Sequence, residues 1–192
     1  PHPIDMDILA RHLSPAKQSF FLFGPRGTGK SLLARERFKK ALFLDFLSPE
    51  TFRVYSAYPE RLREIIAANP ARTDIVLDEI QKVPQILSVI HSPIEERKDL
   101  RFIMTGSSSR KIKKTGADLL GGRAVSVSMH PFMASELGSS FSIEAALETG
   151  LLPLVRFAGE PRQTLAGYLA LYIKEEVQAE ALVRNIPAFA RF

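Results

Sequence analysis

"FLFGPRGTGKS", residues 21–31, sets three apolar residues before a segment holding three glycines, a proline, an arginine, a lysine and two hydroxyls. Gly24, Gly29, Lys30 and Ser31 fit the pattern G-x-x-x-x-G-K-[ST] at its required spacing. The residue types follow from what such a loop must do. A phosphate is ringed by backbone N–H groups, so the backbone is itself the ligand. Gly24, Gly27 and Gly29 allow positive φ and close approach. The loop opens a helix, whose N-terminus turns partial positive charge toward an anion. Lys30 supplies a mobile charge for the β- and γ-phosphates, and the Ser31 hydroxyl a ligand for Mg²⁺. The nucleotide-binding stretch runs from Gly24 through Pro25, Arg26, Gly27, Thr28, Gly29, Lys30 and Ser31 to Leu32, with Arg26 either covering the phosphates or facing solvent.

Working outward, the context matches the motif. "SFFLF" (19–23) is a short continuous apolar run, as in a strand buried on both faces, and 31–40 reads as a helix. Further strands are expected at 41–46, 73–79, 100–108 and 123–130. Helices are expected at 4–13, from Ser48-Pro49 onward, at 58–68, and at 83–98 with a kink at Pro93. Short helical pieces follow in "PFMASEL" and "SIEAALETG", the latter closed by Gly150. A long helix is expected over 161–184, with Leu165, Leu169, Tyr172, Ile173 and Val177 on one face. Strands alternate with helices over 19–130, which implies an α/β domain whose parallel sheet is covered on both faces.

Composition sets limits. The 192 residues are 45% apolar and 24% charged, an ordinary ratio for a soluble domain with a real core. No apolar run reaches the ~20 residues of a membrane helix, and "PHPIDMDILA" does not resemble a signal peptide. With Cys 0, disulfides and thiolate metal sites are excluded, and a cytoplasmic setting is expected. The four histidines, at 2, 12, 91 and 130, make no metal-ligand spacing. The net charge of +5 favours acidic ligands. Basic residues bunch in 34–40 and 109–114; these runs are either solvated faces or a nucleic-acid contact. The start at Pro1 and the end at Phe192, straight after a helical segment, suggest part of a longer chain.

Hydrolysis requires a metal and a positioned water beyond the loop. "IVLDEI" (75–80) offers both: Asp78 to hold Mg²⁺ through its water shell and Glu79 to polarise the water as general base. "FIMTGSS" (102–108) ends a further strand, where a polar side chain senses the γ-phosphate. Ser107 is the first candidate, with Thr105 and Ser108 behind it. Arg123 either faces a phosphate, in its own chain or in a neighbouring subunit, or is a surface arginine at a strand start.

Together, "FLFGPRGTGKS", "IVLDEIQKVP", "RFIMTGSSSRKIKK", "LLGGRAVSVSMHPFMASEL" and "YLALYIKEEVQAEALVRN" resemble the predicted AAA+ superfamily ATPases of prokaryotes. The resemblance covers roughly residues 4–190. It implies a three-layer α/β/α core with a five-stranded sheet in the order 5-1-4-3-2, followed by C-terminal helices. It also implies ATP, ADP and Mg²⁺ as ligands. The core is expected over 1–138, with 139–192 a helical lid or a linker to a further domain. No Asn stands at the sensor position, and no second sensor arginine is evident. The resulting expectation is a Mg²⁺-dependent ATPase that moves an attached domain. The alternatives are a nucleotide-gated module binding nucleic acid or protein with little hydrolysis and, less favoured, a small-molecule kinase. Ring-like oligomers, with Arg123 acting across subunits, belong to the same resemblance.

Overall fold

The computed structural model describes residues 11–113 and 120–172 of the chain. The described residues between Pro15 and Met129 form one compact unit, and those of 11–14 and 130–172 belong to another.

In the first unit, β1 (Phe20–Phe23) is followed by α1 (Lys30–Arg37), β2 (Leu42–Asp45), α2 (Pro49–Ala57), α3 (Arg61–Ala68) and β3 (Asp74–Asp78). A 3₁₀ turn (Ile80–Lys82), α4 (Ile86–Glu96), β4 (Arg101–Gly106), α5 (Ser109–Lys113) and β5 (Val125–Ser128) complete it. All strand pairs are parallel, and the order is β2-β3-β4-β1-β5, which is the expected 5-1-4-3-2 read from the other edge. The expected strands all form, each a little shorter than its apolar run. The helix at Ser48-Pro49 begins as expected, with Ser48 as cap and Pro49 in the first turn.

Alternation along the strands divides the core into two faces. Phe21, Phe23, Leu44, Ile75, Leu77, Phe102 and Met104 share one apolar cluster with Tyr55, Leu62, Ile66, Ile86 and Ile90 from α2, α3 and α4. The opposite face carries Phe20, whose ring lies 6.2 Å from that of Phe38 at the end of α1. Ile75, Val76 and Leu77 are all fully buried, which is why this strand reads as an unbroken apolar run. Arg101 and Asp74, paired in register at the start of β4 and β3, close a bidentate ion pair at 2.7 and 2.9 Å. α4 continues through the buried Pro93 to Glu96.

In the second unit, α6 (Ala134–Leu137), α7 (Ile143–Thr149), α8 (Pro153–Arg156) and α9 (Pro161–Tyr172) follow one another. Ser142 caps α7 and Gly150, at φ 75°, ends it, as expected. α8 is too short to leave a periodic signal in the sequence. α9 starts where expected; 173–184 of the expected helix lie outside the described residues, as do 4–10 of the first expected helix. Residues 11–13 are not helical. Arg11 and Glu136 form a buried pair at 3.1 Å. The Glu136 carboxylate also accepts the backbone N–H groups of His12 (2.7 Å) and Met133 (2.9 Å). The Arg11 guanidinium lies 4.6 Å from the centre of the Phe132 ring. Burial pushes the Glu136 carboxyl upward, but those two N–H groups and Arg11 outweigh it, so it sits below the usual glutamate range.

Candidate nucleotide site

The loop of 24–29 leaves the carboxyl end of β1 and opens α1. Its glycines have separate tasks. Gly27 and Gly29 take φ of 77° and 91°, conformations that side chains resist. Gly24 is required for space: a Cβ there would stand 2.0 Å from the Met129 carbonyl oxygen. Met129 is itself held by its N–H donating to Phe23 O at 2.7 Å, just beyond the end of β5. The Gly24 N–H donates to Gly106 O at 3.3 Å, tying the loop to the end of β4. Inside the loop, the fully buried Thr28 donates to Pro25 O at 2.9 Å. The Lys30 ammonium donates to the carbonyls of Gly24 and Pro25 at 2.8 and 2.9 Å. Leu32 is 43% exposed on α1.

Parallel pairing brings the ends of β3 and β4 beside the loop. Ser31 Oγ donates to Asp78 Oδ1 at 2.9 Å, joining the first turn of α1 to β3. Thr105 Oγ1 donates to the same carboxylate oxygen and accepts the Glu79 N–H at 3.0 Å. Asp78 is 2% exposed, so these hydroxyls replace the water it has lost. Glu79 sits at φ 59° and ψ 49°, the left-handed region that non-glycine residues rarely occupy. That turn swings the chain from β3 into the 3₁₀ turn, whose Ile80 and the following Val83 are fully buried. Gln81 Nε2 donates to Glu79 Oε2.

The sensor candidates separate clearly. Thr105 is committed to Asp78 and the Glu79 amide. Ser108 Oγ accepts the Arg110 N–H at 3.1 Å, at the start of α5. Ser107 Oγ is buried and has no hydrogen-bond partner among the described residues. Arg123 is not brought to the loop of its own chain. It precedes β5, whose Val125 pairs with Phe20 at the start of β1, whereas the loop leaves the opposite end. Its guanidinium instead bonds Glu95 Oε1, with Nε at 3.2 Å, and that hydrogen bond holds the Glu95 carboxyl below its usual range. Sequence reasoning missed Gln81, although it stands in "DEIQKVP". Nothing in the sequence says that its amide turns back two residues to Glu79.

The first basic run carries less free charge than the sequence suggests. Arg35 pairs with Asp45 at 3.3 Å and lies 4.0 Å from the centre of the Phe43 ring, and Lys39 pairs with Glu36 at 3.5 Å. In the second run Lys114 and the side chains of Lys111 and Lys113 lie outside the described residues. No helix among the described residues is long and apolar enough to cross a membrane. The described residues also hold no cluster of three or more His, Cys, Asp or Glu fit to bind a metal.

No curated protein matches the sequence. Domain III of the Thermotoga maritima replication initiation protein DnaA is a solved structure similar over 86% of this chain and 80% of its own, at 12% identity and a TM-score of 0.39. The AAA domain model matches residues 16–138, a stretch that contains the loop, Asp78, Glu79, Thr105 and the whole five-stranded sheet. With loop, acids and strand order agreeing over well more than half its length, the chain belongs to the AAA domain family of P-loop ATPases.

Proposed function

We propose that the chain binds ATP with Mg²⁺ on the 24–31 loop, hydrolyses it, and couples the cycle to movement of an attached domain. One observation carries the reading: Ser31 Oγ and Asp78 Oδ1 lie 2.9 Å apart, with Glu79 next along the chain. A hydroxyl and a carboxylate are hard oxygen donors suited to Mg²⁺. That ion usually takes one or two protein ligands, with phosphates and waters completing its shell. Ser31 and Asp78 would hold the ion, which when bound neutralises charge on the phosphate oxygens.

The remaining work falls to the chain's own groups. The amides of the loop and the first turn of α1 surround the β-phosphate, and Lys30 exchanges its carbonyl partners for phosphate oxygens. Glu79 accepts a proton from the attacking water. Ser107, whose buried hydroxyl has no partner among the described residues, is the γ-phosphate sensor in this reading. Arg123, remote from its own loop, would serve a neighbouring subunit's nucleotide.

The test is ATP turnover by purified protein alongside Glu79→Gln. Turnover should fall by about a hundredfold or more with ATP affinity retained, the scale expected for losing general-base catalysis. Equal, negligible turnover in both proteins would favour a nucleotide-gated binding module instead.

A further inference from the structure

The Asp78-Glu79 pair leaves one neighbour unexplained. Gln81 sits on the 3₁₀ turn immediately after Glu79. Its Nε2 donates to Glu79 Oε2, while its Oε1 is buried with no hydrogen-bond partner among the described residues. A buried acceptor left unpaired is destabilising, so packing alone does not account for an amide here. An apolar side chain of the same length would avoid that cost. The amide is also closely confined. A Cβ on Gly106 would stand 2.8 Å from Gln81 Oε1 and 3.4 Å from the Phe23 ring, so only glycine leaves the amide its place. Behind it, the turn is fixed by Ile80 and Val83, both fully buried, and by the Lys82 N–H donating to Glu79 O at 2.9 Å. Gly106 directly precedes Ser107 and accepts the Gly24 N–H.

We propose that Gln81 is a positioning residue for Glu79: its amide, seated against Gly106, fixes the direction of the Glu79 carboxylate. Asp78 is held by two hydroxyls, and the Glu79 backbone by Thr105. The carboxylate of Glu79 is joined to Gln81, two residues on. A flexible side chain must be held within a narrow angle to meet a proton in transit, and one charge-assisted hydrogen bond supplies that constraint. Gly106 belongs to the same device because its missing side chain keeps the amide in contact with Glu79.

This inference rests on the hydrolysis reading for its catalytic meaning, and the test separates the two. Gln81→Met keeps the length and removes both polar atoms; Gln81→Glu sets a second carboxylate against the first. Steady-state turnover should show kcat lowered about tenfold in Gln81→Met and further in Gln81→Glu, with the ATP dissociation constant within about twofold of wild type. Gly106→Ala should reproduce the Gln81→Met loss, and the two together should lose little more than either alone. An unchanged or raised kcat, or a loss appearing in ATP affinity instead, overturns the proposal.

A second measurement needs no turnover. Urea unfolding of nucleotide-free wild type, Gln81→Met, Glu79→Met and the double variant should give midpoint shifts that fall short of additivity. Additive shifts overturn the proposal whatever the protein does with ATP. A wild type that turns over no ATP sinks the hydrolysis reading and leaves this cycle to be judged by itself.

Discussion

At the scale of single residues, two positions show how differently glycine and threonine serve the site. A methyl group at Gly24 meets the Met129 carbonyl at 2.0 Å, and backbone cannot step aside as a side-chain tip can. Gly24→Ala is expected to lose about 1–3 kcal/mol of stability, with ATP affinity falling alongside, in parallel melting and calorimetric titration. Gly159→Ala is the control: no described residue lies within 4 Å of its added Cβ, and stability should stay within about 0.5 kcal/mol. Thr105→Val keeps the shape but strips both Asp78 and the Glu79 amide of a partner. It should cost about 1–3 kcal/mol in denaturant unfolding, more than Ser108→Ala at the start of α5. Much of this site was legible in the sequence. The loop spacing and the acids after an apolar strand single out Gly24 to Ser31, Asp78 and Glu79 as candidates without a structure. Thr105 and Gln81 were not legible in their roles. Each depends on which side chains meet across β3, β4 and the turn after β3, and spacing along the chain does not encode that.

At the scale of elements, α6 offers a titration. Glu136 is held below the ordinary glutamate range in the folded chain, against about 4.3 unfolded. A carboxyl lowered by folding adds stability that is complete above its unfolded value. That stability is lost as pH falls through the unfolded value and on through the folded one. Glu136→Gln should therefore be less stable at neutral pH, with a flatter loss of stability below about pH 4 when melting is followed against pH. Equal acid slopes in the two proteins would reject this account. The elements themselves were readable where they were long or sharply punctuated. Apolar runs announce β1 and β3, and Ser48-Pro49 announces α2. A four-residue element such as α8 is shorter than the pattern needed to see it.

At the scale of the whole molecule, alternation of strands and helices dictates a parallel sheet but not the order of its strands. That order came from resemblance, and the registers now explain it. β4 stands between β3 and β1, so Asp78, Gly106 and the loop share the carboxyl end of the sheet. The sheet is uneven in its protection. β3 and β4 are interior and buried, whereas β5 is terminal, with Val125, Ser126 and Ser128 exposed. Amide hydrogen exchange should be slowest in β3 and β4, and faster in β5 by at least about tenfold. Uniform rates across the sheet would contradict that ranking. The same ranking bears on the loop, because Gly24 rests against Met129, the residue after β5. The phosphate cradle thus rests against the strand expected to exchange faster than β3 and β4. Its lifetime in the folded shape is capped by how often β5 unzips, however firmly the other strands hold.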